Sequence, residues 1–173
     1  MDFYEKLSKF IFNIAASISL IVGGSWALYE FYEKKNAQRI LETQKFIENV
    51  SIESTANSIK YIDEFWNKYK KPIDFLENRE NYIIQIVNND NAYRDSLNNI
   101  LSFLNNIHHC ISVDLCHKDL VIRYHRKLFL KTLGIHHAWL VQKRELTNHP
   151  EYYISLECFV RKNIKNFEPT REC

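Results

Sequence analysis

Phe10 to Tyr29 reads FIFNIAASISLIVGGSWALY, twenty residues without one charged side chain. As a helix rising about 1.5 Å per residue, it is long enough to cross a hydrocarbon core of about 30 Å. Three readings compete for such a stretch. A buried core helix is rarely apolar around its whole circumference over this length. A signal peptide would use Lys6 and Lys9 as its basic region and be cleaved after the small-x-small site Ser25-Trp26-Ala27. Against that, Asp2 and Glu5 offset the two lysines, the apolar run reaches Tyr29, and Tyr29, Phe31 and Tyr32 form an aromatic belt of the kind found at membrane interfaces. The stretch is expected to be a retained single-pass anchor.

Orientation follows the lysines and arginines near the ends of a span. Lys6 and Lys9 precede it, while Lys34, Lys35, Arg39 and Lys45 follow it. The excess on the C-terminal side predicts a cytoplasmic C-terminal domain, in a bacterial inner membrane. Ala15, Ser19, Gly23 and Ala27 recur every four residues and line one row of small side chains. Such rows let two helices approach closely in lipid, so a homo-oligomer is expected, with Asn13 and Ser17 beside the row as hydrogen-bonding groups.

The rest of the chain reads as helical. It has 173 residues but only three glycines and three prolines, and Gly134 is the one glycine after the span. A sheet protein of this size needs more turns than that allows. The expected fold class is all-α: an anchor over 1–35, a helical stalk over 36–50, a compact cytoplasmic helical domain over 51–165 and a tail over 166–173.

Ile40, Leu41, Phe46 and Ile47 continue the helical pattern through the stalk, and Ser51 to Ser54 supplies a cap. A helix over Thr55–Lys70 presents Ile59, Ile62, Phe65, Trp66 and Tyr69, and Pro72 ends it. A shorter helix covers Glu77–Val87, and Asn88–Asn91 is a turn. Ala92–Val113 is the clearest amphipathic helix, with Tyr93, Leu97, Ile100, Leu101, Leu104, Ile107, His108 and Ile111 on one face. Lys118–Leu133 follows, with Leu120, Val121, Tyr124 and Leu128 inward and Gly134 as its C′ residue. A short helix over His136–Leu146 and a last one over Glu151–Ile164, opened by Pro150, complete the domain. The last helix buries Tyr152, Leu156, Phe159 and Val160.

From Ile100 to Lys143 the sequence resembles the DUF4760-type bacterial membrane-anchored proteins. Leu101, Phe103, Leu104 and Asn105 occupy the hydrophobic helix of that pattern, Asp119 follows the turn, and Trp139 fills the aromatic position. Asn105 stands where the family often has an acidic residue. The resemblance implies a small, helical, membrane-attached protein and brings no catalytic residue with it.

A net charge of +2 is too small to imply a polyanion partner by itself. The charge is uneven, however. Lys118, Arg123, Arg126, Lys127, Lys131, Lys143 and Arg144 are opposed nearby only by Asp119 and Glu145. Arg123, Lys127 and Lys131 fall four apart on one helical stripe, and Tyr124 and Trp139 are offered for stacking. Forked guanidinium groups hold phosphate oxygens and aromatic faces stack on bases. This stripe is therefore the candidate site for a nucleotide, a nucleic acid or anionic lipid heads, against the plainer reading of a solvated helix face.

His108, His109, Cys110, Cys116, His117, His136 and His137 cluster, but five residues between Cys110 and Cys116 match no zinc knuckle, and packing explains the group more simply. No metal or other cofactor is expected, and cytoplasmic cysteines are expected as reduced thiols. Arg144 and His149 have the arginine-x4-histidine spacing of HEPN-type ribonucleases, in which such groups act at a scissile phosphate. Chance alone gives roughly one such match in a chain of this composition. A phosphate-binding glycine loop, a nucleophile elbow and an HExxH motif are absent.

The leading expectation is a non-enzymatic sensor, effector or interaction protein. Its cytoplasmic domain binds an anionic ligand or a protein partner and signals to an oligomeric span. Membrane effectors of anti-phage defence that are switched by cyclic oligonucleotides share this layout, which is an analogy of architecture alone. A HEPN-like ribonuclease and a passive membrane scaffold are the alternatives.

Overall fold

The computed structural model describes residues 2–49, 53–74, 78–165 and 167. Among them are six helices and no strand: α1 (Asp2–Asn49), α2 (Glu53–Asp74), α3 (Arg79–Asn89), α4 (Asn91–Ser112), α5 (Lys118–Thr147) and α6 (Ile154–Asn163). The all-α class is as the composition requires. The side chain of Asn13, most of the Ser51–Ser54 cap, Glu77 and nearly all of the 166–173 tail lie outside the described residues.

The chain forms two compact units, one ending at Arg39 and the other beginning at Ile40. The first is the N-terminal part of α1. Between Ser8 and Glu48 that helix is long and apolar enough to cross a membrane, and none of its apolar window is buried. It is therefore no core helix of this chain. Phe10, Phe12, Leu20, Trp26, Phe31 and Tyr32 are all exposed.

In the second unit α4 is central, packing on α2, α3, α5 and α6. Its face follows from the 3.6-residue period: Tyr93, Leu97, Ile100, Leu101, Leu104 and Ile107 are buried. Ile62 and Trp66 of α2, Ile83 and Val87 of α3, Val121, Phe129, Leu133 and Leu140 of α5, and Leu156 and Val160 of α6 complete the core. Phe46, on the final stretch of α1, packs against it.

Several boundaries differ from those expected. α2 continues past Pro72 to Asp74, because a proline near a helix end removes one hydrogen bond while its fixed φ stays helical. The Asn88–Asn91 turn shrinks to Asp90, which closes α3 and caps α4 by accepting from Tyr93 N at 2.9 Å. Gly134 does not end a helix. α5 runs through it, and the buried row Phe129, Thr132, Leu133, His136, Trp139, Leu140 passes it in phase. One interior glycine costs about 1 kcal/mol, less than the burial of any one of its large neighbours returns.

α5 ends instead at Asn148, in the left-handed conformation (φ 51°), with Asn148 N bonded to Glu145 O and His149 N to Arg144 O. This is a Schellman turn, which asparagine tolerates. Pro150 does not open the last helix either. A turn follows it, Tyr153 is left-handed (φ 56°), and α6 starts at Ile154.

Candidate functional site

The first half of α5 carries the cationic face. Arg123, Tyr124, Arg126 and Lys127 are all exposed, and Tyr124, expected inward, is 60% exposed. Arg123 and Lys127 lie one turn apart, and Arg126 fills the same face. No ion pair to any of the three forms among the described residues, whereas Lys131 is paired with Asp63 of α2. Lys131 is thus withdrawn from the stripe by a neighbour that sequence spacing cannot reveal. Trp139 is also withdrawn. It is 2% exposed, its indole N–H donates to Asn88 Oδ1 at 3.2 Å, and no face of it is open for stacking.

Arg144 lies in the joint between α5 and α6 and is 7% exposed. Its Nη2 donates to Glu157 Oε2 at 2.5 Å and its Nε to the Tyr152 carbonyl at 2.8 Å. The other oxygen of Glu157 faces His137 Nδ1 at 2.9 Å. Glu157 is fully buried, so its charge is balanced by a forked cation and an imidazole N–H. His149 is exposed. The arginine of the RxxxxH spacing is thus committed to Glu157 and a backbone carbonyl.

A third polar group was not legible in the sequence. Trp66 Nε1 donates to Tyr93 Oη at 2.8 Å, and Tyr93 Oη lies 2.7 Å from His136 Nε2. His136 Nδ1 is 2.7 Å from the Thr132 carbonyl. Burial pushes the His136 pKa down to about 4 and raises that of Tyr93. Burial also lowers His125 and His108.

The remaining histidines and cysteines do not gather into a ligand set. Cys110 and Cys116 form a disulfide, and Cys158 is disulfide-bonded as well. The expectation of reduced thiols is corrected at these three positions. Its physical reason is local: the end of α4 folds back so that the two Cα atoms stand 5.3 Å apart. Among the described residues no group of three or more metal-capable side chains converges. On α1, Ala15, Ser19, Gly23 and Ala27 are all exposed along one helix.

The model of the family described as "Domain of unknown function (DUF4760)" matches residues 17–162. The chain belongs to this family. The match extends well beyond the Ile100–Lys143 resemblance, and it takes in the second half of the apolar span as well as α2 to α5 and most of α6. No curated protein and no solved structure matches the chain. Of the residues expected to form a site in this DUF4760 protein, Arg123, Tyr124, Arg126 and Lys127 on α5 and the small-residue row of α1 are exposed.

Proposed function

We propose that this DUF4760 protein is a non-enzymatic, membrane-anchored sensor or interaction protein. Its helical unit takes an anionic ligand on the exposed face of α5. Arg123 and Arg126 supply forked donors for phosphate oxygens, Lys127 adds a point charge, and Tyr124 offers a ring for stacking. The α1 helix passes the change to a span that self-associates through Ala15, Ser19, Gly23 and Ala27. The retained anchor sits in a bacterial inner membrane; the lysine and arginine bias supports a cytoplasmic helical unit, and its disulfides weigh against that side.

The observation that carries this reading is the unequal treatment of the α5 cations. Lys131 and Arg144 are neutralised by Asp63 and Glu157, while Arg123, Arg126 and Lys127 stay exposed together without an ion pair among the described residues. Like charges on adjacent turns repel, and an anionic partner relieves that repulsion. A nucleotide second messenger, as in anti-phage defence, fits a face with both cations and a stacking ring. The commitment of Arg144 to Glu157 weighs against the ribonuclease alternative.

Calorimetry on the full chain in detergent, with a panel of cyclic di- and trinucleotides, tests the proposal. Binding by the wild type that falls at least tenfold in Arg123→Ala/Lys127→Ala, and weakens with added salt, is expected. Absence of binding across the panel overturns the nucleotide ligand. A double variant that keeps full cellular function favours a passive scaffold.

A further inference from the structure

The turn between α4 and α5 is closed twice, and the residue that follows it grips α1. Asp114 takes the left-handed conformation (φ 63°), Asp114 N bonds Ile111 O, and both Leu115 N (2.9 Å) and Cys116 N (3.1 Å) bond the Cys110 carbonyl. The Cys110–Cys116 disulfide spans the same turn. The next residue, His117, donates its backbone N–H to Thr43 Oγ1 at 2.7 Å. Thr43 is fully buried and belongs to the 40–49 stretch of α1, inside the second unit.

We propose that the Cys110–Cys116 pair is a site of reversible thiol–disulfide exchange that controls how firmly the 40–49 stretch of α1 is docked, with a dithiol protein or small dithiol as reductant. Three observations carry it. A bond between residues only six apart closes a small loop, and small loops constrain the unfolded chain least, so its main effect is on the position of this turn. The turn it braces carries two unfavourable features among the described residues. Asp114 holds a conformation that costs an L-residue energy, and His117 Nδ1 is buried without a hydrogen-bond partner. The turn is also approachable, since Val113, Asp114 and Leu115 are exposed although both sulfurs sit on buried residues. Local opening of this turn admits the reductant.

The exchange balances without further reagents. A thiolate of the dithiol attacks the Cys110 sulfur, an S–S bond forms between them, and the Cys110–Cys116 bond breaks. Cys116 leaves as a thiolate and takes a proton. The second thiolate of the dithiol then attacks its own mixed-disulfide sulfur and releases Cys110, which is protonated in turn. The reductant has lost two electrons and two protons and ends as a disulfide, and both cysteines end as thiols. Without the covalent brace, the backbone bonds of the turn to the His109, Cys110 and Ile111 carbonyls open more readily, and His117 releases Thr43 more often.

Hydrogen exchange followed by mass spectrometry on the full chain in detergent tests this. Cys110→Ser/Cys116→Ser leaves the Cys158 bond in place, and uptake over 40–49 is expected to rise at least tenfold while the α4 core stays protected. Wild type treated with dithiothreitol, with both thiols confirmed by alkylation, should show the same rise if the double variant does not fold. Thr43→Val should loosen 40–49 with the disulfide intact. Unchanged uptake over 40–49 after the bond is demonstrably broken overturns the proposal. So does a pair that stays oxidised in folded protein under dithiothreitol.

Discussion

Tyr93 Oη lies 2.7 Å from His136 Nε2 in a part of the core that water does not reach, the tyrosine being 0% and the histidine 1% exposed. The roles of the atoms follow by elimination. The Thr132 carbonyl only accepts, so His136 Nδ1 carries the proton and Nε2 carries the lone pair. Tyr93 therefore donates to Nε2 and accepts from Trp66 Nε1. The chain of bonds joins α2, α4 and α5, and each of these four groups has a partner. Tyr93→Phe removes one oxygen and leaves two buried groups unpaired, Trp66 Nε1 and His136 Nε2. A loss of about 2–4 kcal/mol is expected, read as a lower denaturation midpoint in detergent. Trp66→Phe removes only a donor and should cost less through hydrogen bonding.

The same network makes stability depend on pH. Unfolded, His136 titrates near 6.5; folded, burial holds it down to about 4. Between those values the unfolded chain binds more protons, so stability rises with pH across this window. The contribution is complete above about pH 6.5 and is lost as pH falls toward 4, on the order of 3 kcal/mol in all. His125 and His108 are shifted in the same direction, by burial. Unfolding midpoints should fall between pH 7.5 and 5, and His136→Gln should flatten that slope. An equal slope in the variant removes His136 as its source.

Much of this architecture is written in the periodicity. The Ala92–Val113 face is the buried face of α4 almost residue for residue, because side chains on one stripe at 3.6 residues per turn must share one environment. The 10–29 run stands out because a soluble core of this size rarely accepts such a circumference. Partners far apart in sequence were not legible. Asp63 is 68 residues from Lys131 and Glu157 is 13 from Arg144, and nothing in the local pattern joins them. Trp139 and Gly134 misled for a related reason. A tryptophan near basic residues and a glycine after a periodic stretch suggest stacking and a helix end, but the unbroken core face of α5 overrides both.

Gly134 gives a direct test of that override. It lies mid-helix, exposed, with nothing within 4 Å of the place a Cβ would occupy and no positive φ. Alanine there reduces the freedom of the unfolded chain and adds no clash. Gly134→Ala is expected to stabilise the protein by about 0.5–1 kcal/mol, seen as a higher midpoint with unchanged helix content. A destabilised variant shows that α5 needs a break at this position.

The Arg144–Glu157 pair predicts the opposite sign. Arg144→Ala strands a fully buried carboxylate that retains only His137, and breaking buried pairs of this kind costs about 3–5 kcal/mol. The Tyr152 carbonyl also loses its donor. The double variant Arg144→Met/Glu157→Leu, which removes both charges, should recover most of the loss. That recovery, in a cycle closed by the Arg144→Met and Glu157→Leu single variants, separates a structural ion pair from a catalytic arginine, whose replacement impairs function while leaving stability intact.

Gly23 lies at the centre of the row Ala15, Ser19, Gly23, Ala27 on α1. Within one chain a Cβ added at Gly23 has open space, with nothing within 4 Å of it. A side chain is therefore accommodated in the protomer, and leucine makes the span more apolar, which favours insertion. Between two chains its effect is reversed. Close packing of small residues is what brings helices together in lipid, and a leucine at the centre of the row holds the backbones apart. Gly23→Leu should thus insert normally yet give at least a severalfold weaker cross-linked oligomer band, while Val22→Leu, on another face, leaves the band unchanged. Equal cross-linking in wild type and Gly23→Leu reduces the 10–29 stretch to a tether. Loss in Gly23→Leu alone assigns the oligomer contact to the small-residue row.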